Sequence, residues 1–345
     1  MLAVETAELT KDYPLGFWRN RSKRALDRLT LSVKQGEIFG LLGPNGAGKT
    51  TTLKLLLRLV FPTAGSGRIL GRPLHDVRLH ARIGYLPENP SFYDHLTAQE
   101  FLLYAGWLCG LDPISRRRRS RELLEQVGLG ESGAVAVRKF SKGMVQRLGI
   151  AQALVNDPEV VFFDEPMSGL DPLGRRQVRD LILSLRRVGK TVFFSTHILS
   201  DAEALCDRVA ILHRGRLQGS GPLSEILGTG VASAELILDN PSPGVLAALE
   251  PFATATVRTG ERVRLELRAD SNAATILEIA LHAGASIVSF NPIKLSLEDY
   301  FLTKVEGSSA STSARSGSLP DLDAPGREPD SNAGVDADHV ELGRR

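Results

Sequence analysis

Residues 38–56 read Ile38-Phe39-Gly40-Leu41-Leu42-Gly43-Pro44-Asn45-Gly46-Ala47-Gly48-Lys49-Thr50-Thr51-Thr52-Leu53-Lys54-Leu55-Leu56. The segment from Gly43 to Thr50 fits the phosphate-loop pattern, in which glycines let the backbone curl so that successive N–H groups face one anion. Its flanks complete the pattern: Ile38–Leu42 is an apolar run of strand type, and Thr51–Leu56 reads as the start of a helix whose N-terminus adds a positive dipole end. Gly43, Pro44, Asn45, Gly46, Ala47, Gly48, Lys49, Thr50 and Thr51 are therefore candidate phosphate contacts. Lys49 is assigned to the β- and γ-phosphates and the Thr50 hydroxyl to Mg²⁺. Gly189-Lys190-Thr191 shares the ending, but Ser184 stands where the first glycine belongs and a strand follows.

Outward from this loop, Val160–Asp164 (VVFFD) and Thr191–Ser195 (TVFFS) are short, nearly continuous apolar runs, as expected of strands buried on both faces of a parallel sheet. Between them Val178, Leu181, Ile182, Leu185 and Val188 recur at helical spacing, and Gly189 supplies a stop. This is a βαβ unit and predicts an α/β core. Asp164 closes its strand and Glu165 follows. Carboxylates at the C-terminal end of such a strand lie where doubly wound sheets bind ligands. Asp164 suits a Mg²⁺ shell of hard oxygens, and Glu165 the orientation or deprotonation of an attacking water. Val4–Leu9 and Leu29–Val33 alternate as antiparallel strands do. Residues 94–150 read as mostly helical, with Thr97-Ala98-Gln99-Glu100 as a capping box.

Three zones follow: a dense globular stretch over 1–225 with a helical region at about 94–150, a smaller zone over 231–305, and a tail over 306–345. The second zone reads strand (234–238), helix (243–249), strand (252–258), strand (261–268), helix (272–283), strand (286–290), the order of the ferredoxin-like arrangement. Ala273, Ile276, Leu277, Ala280 and Leu281 give its second helix an apolar face. Ser296-Leu297-Glu298-Asp299 opens a last short helix. The tail holds eight acids against four arginines, a net −4, and almost no large apolar residue, which predicts a disordered acidic extension.

Composition excludes several classes. With 345 residues, 42% of them apolar, and a formal charge of +2, the chain can build large cores, and no charge excess directs it to nucleic acid. The two cysteines, Cys109 and Cys206, make no disulfide framework and point to a reducing compartment, the cytoplasm. The first residues lack a secretory layout. The longest apolar stretch, 101–111, is shorter than the roughly 18 residues a membrane span needs. The run Arg116–Arg119 reads as a solvated helical surface.

With these motifs the sequence resembles the ATP-binding subunits of ABC transporters over roughly residues 4–220. Phe140-Ser141-Lys142-Gly143-Met144-Val145-Gln146-Arg147-Leu148 corresponds to the family's signature and begins its Ser141 23 residues before Asp164. Ser168-Gly169-Leu170-Asp171-Pro172 matches the D-loop. His197, 33 residues after Asp164, matches the switch histidine. Tyr13 stands where the family stacks an aromatic on adenine, and Glu88, in Gly84-Tyr85-Leu86-Pro87-Glu88, at the Q-loop position.

The resemblance implies a phosphate-loop NTPase of the ABC ATPase type, with antiparallel β and helical subdomains and a small C-terminal α+β, ferredoxin-like domain. It implies ATP and Mg²⁺ as cofactors, with Thr50, Glu88 and Asp164 on the metal and Glu165 and His197 catalytic. It further implies that two ATPase subunits, as homodimer or heterodimer, pair head to tail. Ser141, Gly143, Gln146 and Asp171 would then meet the partner's nucleotide. Ser-Lys-Gly-Met and the closing Leu297-Glu298-Asp299-Tyr300-Phe301 resemble the branch that serves ABC-2-type permease subunits. The implied protein is peripheral on the cytoplasmic face of the cell membrane and drives an exporter, with no nucleic-acid partner. Two positions depart from the family: Glu88 replaces the usual glutamine and adds charge near phosphate, and Lys142 replaces the signature's first glycine and brings a cation near the dimer interface. A second reading, a soluble ABC-type protein acting on ribosomes or DNA, lacks the second ATPase domain or coiled-coil insertion typical of that class. A phosphate-loop kinase would not need Ser141–Gln146.

Overall fold

A computed structural model describes residues 1–15, 21–227, 231–268, 273–294 and 296–300. Residues 16–20, Phe301 and the 306–345 tail lie outside them. The chain starts with two long strands, β1 (Leu2–Leu15) and β2 (Arg21–Lys34), paired antiparallel. Both run well beyond the expected segments, and Tyr13 thereby becomes a strand residue paired opposite Lys23. β3 (Ile38–Leu42) leads through the glycine loop into α1 (Lys49–Leu56). Then come β4 (Ala64–Ile69), β5 (Arg72–Pro73) and β6 (Ile83–Leu86).

The helical region consists of α2 (Ala98–Leu108), α3 (Pro113–Gln126) and α4 (Lys142–Ala153). α2 begins at the predicted capping box: Glu100 N donates to Thr97 Oγ1 at 3.2 Å and Thr97 N to Glu100 Oε2 at 2.8 Å. Such reciprocal bonds satisfy two otherwise orphaned donors and fix where the helix starts. The 15 residues between α3 and α4 carry no α-helix, so "mostly helical" holds for the ends of 94–150 and not for its middle.

The βαβ unit follows as β7 (Val160–Asp164), α5 (Pro172–Arg187) and β8 (Thr191–Thr196), continued by α6 (Leu199–Leu205), β9 (Arg208–His213), β10 (Arg216–Pro222) and α7 (Leu223–Ile226). Val178, Leu181, Ile182 and Leu185 form the buried stripe of α5, but Val188 caps the helix and is 69% exposed. Gly189, at φ 81°, turns the chain there, so the stripe ends a turn earlier than periodicity alone suggests.

Among the described residues there are three sheets. β2-β1-β4-β5 is antiparallel. β10-β9-β3-β8-β7-β6 is parallel from β9 through β6, with antiparallel β10 at one edge. Every residue of β3, β7 and β8 is buried, which explains their unbroken apolar runs. The third sheet contains β11 (Val231–Asp239), β12 (Ala253–Thr259), β13 (Arg262–Leu267) and β14 (Ser286–Lys294), with α8 (Pro243–Leu249) and α9 (Ala273–His282) in between. Its order, β12-β13-β11-β14, all antiparallel, is the ferredoxin-like order read from the βαββαβ succession. In α9, Ile276 and Ala280 are buried but Leu281 is 62% exposed. Five residues on from Ile276, a helix has turned by about 140° away from the core face.

Phe194 of β8 is fully buried in the core between the parallel sheet and its helices. Phe194→Ala is expected to cost about 3–5 kcal/mol of folding free energy, as a shift in the urea midpoint, because the cavity it leaves cannot collapse between two fixed strands.

Candidate functional site

The parallel register brings the candidate residues to one edge of the sheet. Leu42 of β3, which precedes the glycine loop, pairs with Thr196 of β8, and Asp164 of β7 pairs with Ser195. Leu86 of β6 pairs with Phe163, so Glu88 emerges at the same edge. Ligand sites of open α/β sheets lie at this carboxyl edge because the loops leave the strands there.

The glycine loop is held from behind. Gly43 has φ 154° and Gly48 φ 110°. A Cβ at Gly43 would collide with the Leu212 carbonyl oxygen, and one at Gly48 with that of Ala25. Glycine is required at both positions for backbone conformation and for close approach. α1 then begins with no side-chain cap and no acid in its first turn, which leaves its first amides and its dipole open to an anion.

Lys49 is almost fully buried. Its Nζ donates to Gly43 O at 2.7 Å and Pro44 O at 3.3 Å and lies 3.1 Å from Glu165 Oε1. Glu165 is 6% exposed, in left-handed backbone conformation at φ 50°, and donates its N–H to Ser195 Oγ at 3.1 Å. Left-handed backbone is uncommon for a residue with a Cβ, and such residues concentrate at functional sites. Its other oxygen, Oε2, takes the His197 ring: Nδ1 is 2.8 Å away, and the His197 N–H donates to it at 3.4 Å. Asp164, 1% exposed, accepts from Ser195 Oγ at 2.6 Å and from Thr50 Oγ1 at 3.3 Å. Burial pushes the Asp164 carboxyl above its ordinary pKa, and the Glu165 charge adds to this. The two hydroxyls and Lys49 oppose it. The Tyr85 phenol is pushed up to about 12, by burial first and then by the charges of Asp164 and Glu88.

A cavity of about 710 Å³ opens in front of this array. Tyr13, Asn45, Gly46, Gly48, Lys49, Thr50, Thr51, Glu88 and Glu165 line it, so most of the sequence candidates converge. Gly43, Pro44 and Ala47 support the loop, and Asp164 and His197 stand behind Thr50 and Glu165 through the bonds above. The structure does not bring Ser141, Gly143, Gln146 or Asp171 to this cavity. Ser141 caps α4, accepting from Met144 N at 3.3 Å, and Asp171 caps α5, accepting from Gly174 N at 3.2 Å. Gln146 is 3% exposed, and its Nε2 has no hydrogen-bond partner among the described residues. The Lys142 ammonium rests against Gly169, within its own chain.

Sequence reasoning missed Lys23, Arg24, Ala25, Arg214 and Gly215, which also line the cavity. They come from β2 and the β9–β10 turn and carry no motif; only tertiary pairing places them there. It also missed Ser195. Ser195 was legible in principle, because aligning VVFFD with TVFFS puts it beside Asp164.

An acid whose folded pKa is raised costs stability once pH exceeds its unfolded pKa, and the cost is complete above the folded pKa. Asp164→Asn keeps an oxygen acceptor for Ser195 and removes that cost. Without nucleotide, its melting temperature is expected to exceed wild type at pH 7, and the gain to shrink toward pH 4, as followed by thermal unfolding.

Comparisons place this geometry among known proteins. The ABC transporter family pattern matches residues 26–168. The chain is 47% identical over 312 residues to the ABC transporter ATP-binding protein sll0415 of Synechocystis, covering 90% of this chain and 86% of that one. It is 36% identical over 311 residues to the bacitracin transport ATP-binding protein BcrA of Bacillus licheniformis, covering 88% and 97%. It is 38% identical over 256 residues to the Nod factor export ATP-binding protein I of Burkholderia orbicola, covering 72% and 84%. Among solved structures, a dimeric post-hydrolysis state of the cassette MJ0796 bound to ADP and Pi superposes with a TM-score of 0.58 at 28% identity, covering 64% of this chain and 98% of that one. An ATP-binding subunit of an ABC transporter gives 0.57 at 34%, covering 65% and 91%. With the phosphate loop, the Asp164–Glu165 pair and His197 on one sheet edge, the chain belongs to the ATP-binding subunits of ABC transporters and is a transport-coupled ATPase.

Proposed function

We propose that this ATPase works as one of two paired subunits beneath an ABC-2-type permease and powers export, with the Lys49–Glu165–His197 array as its hydrolytic centre. The carrying observation is that array: a buried lysine, an acid and an imidazole within 3.1 Å of one another along the chain of contacts, facing a cavity fringed by the phosphate loop. The triphosphate occupies the loop. Its anionic tail takes over Lys49, whose carboxylate partner is the group it displaces. Glu165, freed from the ammonium, turns to the attacking water as orienting group or base, and His197 keeps it in place. With Nδ1 turned to Glu165, the imidazole leaves Nε2 for the phosphate side.

Thr50, Asp164 and Glu88 fit Mg²⁺. They are hard oxygen donors at the cavity's phosphate end, and the Thr50 and Asp164 oxygens lie within hydrogen-bond distance of each other. The ion supplies charge neutralisation at the phosphoryl oxygens. Tyr13 serves as the adenine platform. Ser141, Gly143, Gln146 and Asp171, away from the cavity in a single chain, serve a second subunit's nucleotide, and each ATP touches both subunits. That differential contact biases the pair toward closure. The D-loop contact of Lys142 keeps its charge at the same face.

The reading as an exporter subunit is supported by the similarity to a Nod factor export protein and a bacitracin transport protein. No helix among the described residues is long and apolar enough to cross a membrane, so the membrane position is supplied by that partner. The permease surface is assigned to the ladder Tyr93, Tyr104 and Trp107. Its ring centroids are 5.7 and 6.0 Å apart, the three residues are 53%, 36% and 60% exposed, and Tyr93 follows Glu88 closely in sequence. We divide the chain into an ATPase domain over 1–225 and an accessory domain over 231–305.

Glu165→Gln is expected to bind ATP while hydrolysing it orders of magnitude more slowly, and to accumulate as a dimer in size-exclusion chromatography with ATP. Normal turnover would remove Glu165 from the mechanism. Trp107→Glu is expected to leave basal ATPase activity unchanged and to abolish co-purification of the membrane subunit from gently solubilised membranes. Recovery of ribosomes or DNA instead would favour the soluble alternative.

A further inference from the structure

Where the chain leaves β14 it returns to the ATPase body through the turn Ser296–Tyr300. The turn is preset by its own bonds: Ser296 N and Oγ donate to Asp299 Oδ2 at 3.0 and 2.7 Å, and Asp299 N donates to Ser296 Oγ at 3.2 Å. Its first free amide, Leu297 N, donates to Glu203 Oε1 of α6 at 2.6 Å. The Leu297 side chain is fully buried, and not in the core of the third sheet. It joins the core that holds Ala202, Leu205 and Cys206 at and just past α6, together with β3 and β8 residues, and Tyr300 packs on the same core. A side chain just past β14 that is buried in the other core ties this turn to the ATPase body.

α6 starts at Leu199, two residues after His197. Its apolar face is packed through Ala202 and Leu205, whereas its buried acid is incompletely bonded. Asp201 is buried, its Oδ2 has no hydrogen-bond partner among the described residues, and its approach to Arg179 Nη2 is 3.9 Å. The Glu203–Leu297 link adds a polar tie to the exposed side of this helix, which begins just after the His197 ring that meets Glu165 at 2.8 Å.

We infer that Leu297, acting through Glu203 of α6, is a positioning residue for His197 and couples the third sheet to hydrolysis. The inference rests on the reading of His197 and Glu165 as catalytic. A displaced imidazole leaves nucleotide binding intact, because the phosphate loop does not depend on α6, but slows the chemical step.

The test is steady-state ATPase kinetics on full-length Glu203→Ala, Glu203→Gln, Leu297→Ala, the Glu203→Ala/Leu297→Ala double variant and His197→Ala. Glu203→Ala and Leu297→Ala are each expected to lower kcat about tenfold with KM for ATP within about twofold of wild type. The double variant is expected to be no worse than the singles, since Leu297→Ala releases the turn that presents the amide and Glu203→Ala removes the acceptor it meets. Glu203→Gln, which keeps a carbonyl acceptor for the Leu297 amide, is expected to retain wild-type kcat. Unchanged kcat in Glu203→Ala overturns the inference, as does a Glu203→Gln variant as slow as Glu203→Ala. A kcat loss matched by a rise in KM also overturns it, because it marks general damage. Glu203 is exposed, so this arm stands even if Leu297→Ala fails to fold. His197→Ala separates the two levels: full activity there removes the catalytic reading itself, whereas its inactivity beside a normal Glu203→Ala removes only the coupling.

Discussion

The buried contact between Lys49 and Glu165 organises everything around it. Two opposite charges, each nearly removed from water, are costly unless they are paired and their remaining valences filled. Here the ammonium is completed by the carbonyls of Gly43 and Pro44, and the carboxylate by His197. The lysine can lie so deep only because the glycine loop wraps it, and the loop can wrap it only because Gly43 and Gly48 admit neighbours that a Cβ would exclude. A ligand carrying several negative charges is the natural competitor for that lysine. In the mechanism proposed above the pair acts as an electrostatic placeholder, and its replacement releases Glu165.

Register does the rest of the positioning. Parallel strands pair in step, so residues that end neighbouring strands share one edge without any local signal to that effect. Asp164 meets Ser195 across β7 and β8, and His197 follows directly from the end of β8. The Ser195 hydroxyl bridges the two acids' positions, accepting from the Glu165 amide and donating to Asp164. The left-handed backbone at Glu165 turns its side chain back toward Lys49. The elevated proton affinity of Asp164 and the strained turn beside it are both local destabilisations. They are tolerated because five fully buried phenylalanines in β3, β7 and β8 hold the strands in place.

Much of this was legible before any coordinates. The phosphate loop declared itself by glycine spacing together with its strand and helix flanks. The βαβ unit followed from two all-apolar runs around a helical stripe, the α2 start from Thr97 and Glu100, and the third sheet's strand order from the succession of its elements. Two errors shared one cause, while the middle of 94–150, which carries no α-helix, was a separate misreading. Val188 and Leu281 fit an apolar periodicity but ended exposed, because a pattern continues on paper past the residue where the helix stops or turns its face away. The reach of β1 to Tyr13 was also invisible, since its pairing with β2 is set by a partner strand rather than by its own alternation.

Local rules operate within a few residues, so the amino-acid order by itself marked most of the segments that become strands or helices, the loop that can cradle phosphate, and the acids, lysine and histidine that are candidates for the chemistry. The distances between those groups belong to the fold. So do the placement of Lys23, Arg214 and Ser195, the separation of Ser141 and Asp171 from the cavity, and the entry of Leu297 into the core beside α6. Each depends on segments tens to hundreds of residues apart meeting at one register, and only packing of the whole chain decides that.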